Sequence, residues 1–357
     1  ANGDPMHQLN AQNYIDAVST RAGQTRQPDH ATIELTYGCN LRCLHCYNPT
    51  HRALPQELTT AEVCTILTQM AELGVLTVSL SGGEPSLRPD IETILRHARR
   101  TGLLVSLLSN ATRMTPAFAS LLDEVGVSHL FISIYGATPA VYERMTGIPG
   151  SFTHFLQGLD CLSRRAFAVT LRMPVTTVNR PEVDACQQLV ESRGFKFQYS
   201  LDIHPRTDGD HAPLAYRLDP DQKTELDARK LGVPLSDRDP DTCTPEEPFI
   251  SCACGRSRFA VTPYGEMNLC VAFPTPKYDL RKGTVREGWA TLKQTVDQAR
   301  PTARYECAAC DVHRYCRQGR SDAWLETGDM SACLPHFKEW AQLEHRSHVL
   351  LNPGRTR

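Results

Sequence analysis

The sequence predicts an α/β fold: a partial (β/α)6 TIM-like barrel followed by a C-terminal cysteine-rich domain. Three observations favour this fold. Short apolar runs alternate with helical patterns from about residue 31 to residue 203, which is typical of parallel βαβ units. The alternation gives six units, which fit an open barrel better than the closed barrel of eight. Finally, eleven of the 14 cysteines lie in two groups, at residues 39–46 and 243–333.

Each predicted strand is an apolar run, and a glycine stands where several of the helices are expected to end. The predicted strands are Ala31–Tyr37, Val75–Ser81, Leu103–Ser109, His129–Tyr135, Phe167–Pro174 and Phe195–Leu201. The predicted helices include Thr59–Leu73, Pro89–Thr101, Thr115–Val125 and Arg180–Arg193, with Gly74, Gly102, Gly126 and Gly194 at helix-to-strand boundaries. Glycine is common just past a helix because it adopts the left-handed backbone conformation without strain.

The composition changes after the sixth predicted strand. Residues 204–242 are rich in Pro and Asp and predict a linker with one short helix near Leu218–Leu231. We therefore divide the chain into an N-terminal extension (1–30), the barrel (31–203), the linker (204–242), the cysteine-rich domain (243–335) and a C-terminal helix and tail (336–357). Short strand-like segments at Arg258–Val261 and Met267–Val271 fall within the cysteine-rich domain.

Composition limits the partners and the compartment. The net charge of −2 gives no basic bias toward nucleic acid or an anionic membrane, and no run approaches the ~18 apolar residues of a membrane span. The first 30 residues lack the hydrophobic region of a signal peptide. A chain with many cysteines and no secretory signal is typical of the reducing cytoplasm, where cysteines bind metals or take part in redox reactions. We expect a cytoplasmic protein with no nucleic-acid or membrane partner.

The first cysteine group follows the first predicted strand. Cys39, Cys43 and Cys46 have the spacing C-x3-C-x2-C, within Thr36-Tyr-Gly-Cys-Asn-Leu-Arg-Cys-Leu-His-Cys-Tyr47. Iron–sulfur clusters are normally held by four cysteines. A local group of three therefore indicates a cubane cluster with one iron left for another ligand. Because active sites of such barrels lie at the carboxyl ends of the strands, we expect this loop to form part of one.

This spacing resembles the signature of the radical S-adenosylmethionine (SAM) superfamily. The resemblance implies a [4Fe–4S] cluster on Cys39, Cys43 and Cys46, with the amino and carboxylate groups of SAM on the open iron. After the second strand, Ser81-Gly-Gly-Glu-Pro85 is similar to the family's GGEP motif. The resemblance therefore implies that Gly82, Gly83 and Glu84 bind SAM, with Glu84 facing its amine.

Five further residues are assigned to SAM by the same resemblance. Tyr47 takes the place of an aromatic residue beside adenine, and Ser109 and Asn110 that of a polar pair near the ribose. Ser133 is similar to the serine of a Ser-x-Asp-Gly motif, although Tyr135 replaces its aspartate. Arg144 takes the place of an arginine near the SAM carboxylate. For each, the alternative interpretation is a polar strand end or a solvated helix residue.

The resemblance also implies the reaction. A reduced cluster passes one electron to SAM, and a 5′-deoxyadenosyl radical forms and removes hydrogen from an unactivated C–H bond. A flavodoxin- or ferredoxin-type protein would supply the electron. The residues of the chain would provide geometry and exclude water and oxygen.

The second cysteine group resembles the auxiliary-cluster domain called SPASM. Cys254 precedes a G-x4-C segment ending at Cys270, and Cys307-x2-Cys310-x5-Cys316 is followed by the more distant Cys333. The resemblance implies one or two auxiliary [4Fe–4S] clusters: an outer cluster on the last four cysteines and an inner one on Cys252, Cys254 and Cys270. Arg320 stands where the family has a further cysteine, so the inner site has either an open iron or Cys243 as its fourth ligand. A single-cluster "twitch" domain and structural zinc are the alternatives.

Three functions follow as hypotheses. The favoured one is a maturase that crosslinks, epimerises or oxidises a ribosomal peptide or protein side chain, with a separate leader-peptide-binding protein as a partner. In epimerisation, Cys243 is a candidate hydrogen donor. The alternative is a dehydrogenase or epimerase of a small molecule (aminocyclitol, sugar or tetrapyrrole), and the remote one is a non-catalytic Fe–S or metal-binding protein. For a small molecule, the candidate lining residues are Tyr135, Arg172, Tyr199 and His204.

Overall fold

The structure, a computed structural model, describes residues 11–163, 165–231 and 249–351. The strands are β1 (His30–Glu34), β2 (Thr77–Ser81), β3 (Leu104–Ser109), β4 (His129–Ser133), β5 (Ala168–Pro174), β6 (Lys196–Ser200), β7 (Arg258–Val261), β8 (Glu266–Asn268) and β9 (Tyr278–Asp279). The helices are α1 (Ala11–Thr25), α2 (Thr60–Leu73), α3 (Ile91–Arg100), α4 (Pro116–Val125), α5 (Pro139–Thr146), α6 (Ser151–Asp160), α7 (Val183–Glu191), α8 (Pro220–Leu231), α9 (Val285–Gln298), α10 (Arg320–Thr327) and α11 (Pro335–Leu351).

The described strands form one open sheet in the order β6-β5-β4-β3-β2-β1-β7-β8-β9. Strands β1 to β6 are parallel and lie in sequence order. Because such crossovers are almost always right-handed, strands added in one direction place their helices on one face of the sheet. The opposite face is left open, and the carboxyl ends of all six strands lie at one end. This arrangement confirms the predicted partial barrel with an α/β fold.

The sheet continues into the cysteine-rich part of the chain. Strand β7 pairs in parallel with β1, with His30 opposite Arg258 and Ile33 opposite Val261. Strands β8 and β9 then extend the sheet in antiparallel fashion. The sequence predicted the segment at Arg258–Val261 but not its partner. The sheet therefore runs through both the predicted barrel and the predicted cysteine-rich domain.

Local signals explain most of the helix ends. Thr59 caps α2 through a capping box with Glu62, and Gly74 and Gly126 end α2 and α4 in the left-handed conformation. The sequence analysis missed α1, α5, α6, α9 and α10. For α5 the signal was present, since Thr138 caps the helix and Pro139 begins it.

The described part of the predicted linker, residues 204–231, packs against the rest of the protein. Helix α8 confirms its predicted short helix and packs against α11. The buried ammonium group of Lys223 lies 4.8 Å from the ring centre of Trp340, and Arg317 forms a 2.7 Å ion pair with buried Asp227. In the described part of the chain, no helix is both long enough and apolar enough to cross a membrane.

Candidate active site

Three thiols lie together in the loop after β1. Cys43 is buried and Cys39 and Cys46 are half-buried, and each of the three lies close enough to another to affect its ionisation. Burial raises the pKa of Cys46 to about 12 and that of Cys43 well above its usual value. Thiols bind metal as thiolates, so a bound cation would have to offset this cost.

The C-terminal end of α5 holds the cysteine loop in place. The backbone N–H of Arg42 donates to the carbonyl of Thr146 at 2.8 Å, and that of Leu44 donates to the carbonyl of Met145 at 3.0 Å. These carbonyls belong to the last turn of the helix, where they have no partner within the helix. The loop is thus fixed by a helix that the sequence analysis missed.

The GGEP segment packs against the same loop. The N–H of Gly83 donates to the carbonyl of Thr36 at 2.6 Å, and that of Glu84 to the carbonyl of Gly38 at 2.8 Å. A Cβ on Gly82 or Gly83 would overlap the carbonyl oxygen of Thr36 or Gly38. The glycines were expected to let the backbone approach a ligand. In the structure, they let it approach the cysteine loop.

The carboxylate of Glu84 joins several of the predicted SAM residues. Its Oε1 accepts hydrogen bonds from the N–H and hydroxyl of Ser86 and, at 2.9 Å, from the hydroxyl of Ser109. Its Oε2 accepts one from the N–H of Asn110 at 2.7 Å. Burial raises the pKa of Glu84, while these donors lower it. In the described part of the chain, Oε1 thus accepts three hydrogen bonds and Oε2 accepts one.

Glu84 and Asn110 also lie beside the cysteines. The amide Nδ2 of Asn110 is 3.9 Å from Sγ of Cys39, and the negative charge of Glu84 adds to the effect of burial in raising the pKa of Cys39. Three clustered thiols next to a buried carboxylate fit a three-cysteine cluster and a ligand that carries an amine. The end of the barrel therefore has the side chains for both.

The comparisons with known proteins identify this arrangement. Residues 33–189 match the family model described as the radical SAM superfamily. This match runs from the end of β1 into α7 and contains all three thiols of the loop. Residues 33–189 are therefore a radical SAM domain.

Two curated relatives align over most of the chain that contains this radical SAM domain. An "AdoMet-dependent heme synthase" of Methanosarcina barkeri is 26% identical over 93% of this chain and 99% of the relative. A "PqqA peptide cyclase" of Streptomyces rochei is 27% identical over 85% of this chain and 78% of the relative. Streptococcus suis SuiB, solved with its precursor peptide SuiA, has a similar fold, with a TM-score of 0.68 and 13% identity over 95% of this chain and 84% of that one.

The remaining residues assigned to SAM lie in different surroundings. Tyr47 is half-buried and its hydroxyl donates to Oε1 of Glu34 at 2.8 Å. Ser133 ends β4 and lies beside the buried Tyr135, whose pKa it lowers although burial raises it. Arg144 is exposed on α5, the helix that holds the cysteine loop. Their roles toward SAM stay predictions.

Glu34 is a buried residue of the site that the sequence analysis missed. It ends β1 and also accepts a 3.4 Å hydrogen bond from the hydroxyl of Tyr37. Burial raises its pKa to about 7, although the two tyrosines lower it. A carboxylate at the end of an apolar strand was the available signal, because such a group is costly to bury without a purpose.

The residues proposed to line a small-molecule site separate into two groups. Arg172 is exposed on the open face of the sheet, whereas Tyr199 lies on the helical side and donates to the carbonyl of Leu226 in α8. His204 contacts Asp322 of α10 at 3.0 Å. Tyr135 lies against the cysteine loop, close enough to the thiol of Cys43 to affect its pKa. The structure thus does not bring these four residues together.

The inner auxiliary cysteines are neighbours in the structure. The thiols of Cys252 and Cys270 lie close enough to that of Cys254 to affect its ionisation, and the thiol of Cys254 lowers the pKa of Cys270 although burial raises it. Cys243 lies outside the described residues. Within the described ranges, no three His, Cys, Asp or Glu side chains are placed to hold a single metal ion. The ligation of this site stays a prediction.

The outer auxiliary cysteines surround a cavity of about 400 Å³, lined by Cys307, Cys310, Cys316 and Cys333 together with Arg320 and other residues. The guanidinium of Arg320 lies 4.6 Å from the ring centre of Phe249 and 4.9 Å from that of Tyr305, and its Nε donates to the carbonyl of Phe249 at 3.1 Å. The residue that replaces the family's cysteine therefore lines the outer site. Four thiols around one cavity are the donor set of a cubane cluster.

Proposed function

We propose that this protein is a radical SAM maturase that removes hydrogen from an unactivated C–H bond of a ribosomal peptide or a protein side chain. The observation that carries the proposal is the meeting of three thiols and the carboxylate of Glu84 at the carboxyl ends of β1 to β3. The alignment with a peptide cyclase over 85% of this chain supports a peptide as the substrate.

The residues of the chain have distinct roles in this proposal. Cys39, Cys43 and Cys46 would hold the cluster, and Oε2 of Glu84 would accept a hydrogen bond from the SAM amine. Ser109 and Asn110 fix the orientation of the Glu84 carboxylate through their own hydrogen bonds. When bound and reduced, the cluster supplies the electron that cleaves SAM and yields the radical that removes hydrogen.

The auxiliary cysteines complete the proposed site. We propose clusters at both the inner and the outer group of thiols, since each group is already assembled. They would accept an electron from the substrate radical, which makes the overall reaction an oxidation. A flavodoxin- or ferredoxin-type donor, a separate leader-binding protein and a cytoplasmic location belong to the same proposal.

One observation favours a second candidate function. The alignment with the relative named a heme synthase covers 99% of that relative, more than for the peptide cyclase. A tetrapyrrole side chain is therefore the alternative substrate. Both candidates use the same cluster and the same SAM chemistry, and they differ in what occupies the open face of the sheet.

The test is formation of 5′-deoxyadenosine by the anaerobically reconstituted protein with SAM and a strong reductant. Wild type should form it, and Cys43→Ala should not. Each candidate substrate, a precursor peptide or a propionate-bearing porphyrin, would then be added and its mass followed for loss of hydrogen. SAM binding without any cleavage, with or without substrates, would instead favour a non-catalytic iron–sulfur protein.

A further inference from the structure

Basic side chains lie on the open face of the sheet at β4 to β6. In β5, Arg172 is exposed, whereas its two neighbours in the chain, Leu171 and Met173, are buried. In β6, Lys196 and Gln198 are also exposed. Because successive side chains of a strand point to opposite faces, these exposed residues lie on the face away from the helices.

The strand register places Arg172 level with the SAM site but away from the cysteines. Arg172 pairs with Ser133 of β4, and the preceding residue Ile132 pairs with Ser109 of β3. Arg172 is therefore level with Ser133 and within one residue of the level of Ser109, both of which are assigned to SAM. Arg172 lies on β5, whereas the cysteine loop follows β1. Arg172 is therefore four strands away from the loop across the sheet.

The side chain of Arg172 leans deeper into the barrel. Its guanidinium carbon is 3.6 Å from the ring centre of Phe131, which is nearer the amino end of β4 than Ser133. The ring of Phe131 stacks on that of His129 at 4.1 Å. The Nε of Arg172 donates to Gln198 at 3.3 Å, and the guanidinium has further N–H donors for a ligand.

The charges around this arginine are positive. Burial lowers the pKa of His129, and the nearby positive charges of Arg172 and Lys196 lower it further. Neither Arg172 nor Lys196 forms an ion pair with another residue of the described ranges. By contrast, Arg88 and Arg165 are each paired with an aspartate. Two cations without an acidic partner on one face of the sheet attract an anion, and an arginine fork matches a carboxylate.

We propose that Arg172, assisted by Lys196, binds a carboxylate of the substrate on the β4–β6 side of the barrel. This inference rests on the proposed function and adds a chemical class to its substrate. The carboxylate is either an Asp or Glu side chain of a peptide or a propionate of a tetrapyrrole. In both, the carboxylate would hold the substrate across from the cysteine loop, with SAM between them.

The test measures binding by calorimetry to the reconstituted protein with SAM present. One probe pair is a capped pentapeptide with a central Glu and its Gln counterpart; the other is mesoporphyrin and its dimethyl ester. For at least one pair, the acid should bind wild type roughly tenfold or more tightly than the neutral form. Arg172→Gln should lose this preference, and Arg172→Lys should regain part of it. Arg100→Gln, an exposed arginine of α3, is the matched control and should behave as wild type.

The pair that shows the preference identifies the source of the carboxylate. Equal binding of acid and neutral forms in both pairs would overturn the inference, as would an undiminished preference in Arg172→Gln. Weaker SAM binding by Arg172→Gln, with probe binding unchanged, would also overturn it and assign Arg172 to the SAM carboxylate. SAM cleavage without probes is measured separately. A preference for the acid in a protein that cleaves no SAM would support this site and contradict the proposed function.

Discussion

The backbone N–H of Asn110 donates a 2.7 Å hydrogen bond to Oε2 of Glu84, a residue twenty-six positions earlier in the chain. This bond ties the end of β3 to the loop after β2. The same carboxylate accepts a hydrogen bond from Ser109, so its position is fixed before any ligand binds. Preorganised acceptors of this kind bind a cationic amine without paying for reorganisation.

Glu84→Gln should weaken SAM binding about tenfold or more, because the substitution removes the negative charge that faces the amine. Iron content should stay at the wild-type level, since Glu84 is not a cluster ligand. Equilibrium dialysis with labelled SAM and an iron assay measure the two quantities. Glu72→Gln, at an exposed position of α2, is the matched control and should leave both unchanged. Unchanged SAM affinity in Glu84→Gln would contradict the assigned role.

Gly83→Ala should destabilise the fold by a few kcal/mol or prevent folding, because its Cβ would overlap the carbonyl oxygen of Gly38. Gly23→Ala in α1 has no such neighbour and should stabilise the helix by about 0.5–1 kcal/mol. Urea unfolding followed by circular dichroism compares the two variants with wild type. Equal stability of Gly83→Ala and wild type would mean that the GGEP segment and the cysteine loop can move apart with little loss of folding free energy.

Glu34 should make stability depend on pH. Burial raises the pKa of Glu34 to about 7, above its usual 4.5, so between these two pH values the folded chain holds a proton that the unfolded chain has lost. This contribution is fully present below pH 4.5 and is lost as the pH rises through 7. It amounts to about 3 kcal/mol at most.

The thermal midpoint of wild type should therefore fall relative to that of Glu34→Gln between about pH 5 and about pH 8. The informative quantity is how the difference in thermal midpoint between the two proteins changes with pH. The midpoint difference at a single pH is not informative, since the amide also alters the hydrogen bonds of Tyr37 and Tyr47. Parallel curves for the two proteins would show that Glu34 is ionised throughout the interval.

Cys316→Ala should reduce the iron bound per chain, because it removes one of the four thiols that line the outer cavity. Cys64→Ala, on α2 and half-buried, should bind as much iron as wild type. Iron and sulfide assays after anaerobic reconstitution compare the two. SAM binding should persist in Cys316→Ala, since the first cluster is elsewhere. Equal iron in both variants would contradict an outer cluster.

The sequence predicted the parts of the fold that local patterns determine. Alternating apolar runs located β1 to β6, and the glycines marked the ends of α2 and α4 because the left-handed conformation strongly favours this residue. Cysteine spacing and the GGEP segment identified the three thiols and the carboxylate that the structure brings together. These features involve residues close together in the chain, and this is why one sequence sufficed.

What escaped prediction depends on contacts between distant segments. The pairing of β1 with β7 joins residues more than two hundred positions apart, and no local pattern indicates it. The sequence analysis named Tyr199 as a candidate lining residue of a small-molecule site. A shift of one residue along a strand moves a side chain to the opposite face of the sheet, and Tyr199 lies on the helical face. Glu34 was read as part of an apolar strand, although its burial and its tyrosine partners only become evident in three dimensions.

The pairing of β7 with β1 has a consequence for how the protein can be divided. In a fragment of the barrel alone, β1 would become an outer strand whose backbone N–H and C=O groups lack partners along the side that β7 now occupies. Exposed strands of this kind recruit other chains and promote aggregation. The strand at risk is the one that leads into the cysteine loop. The cysteine-rich part of the chain therefore protects the first strand of the barrel from self-association.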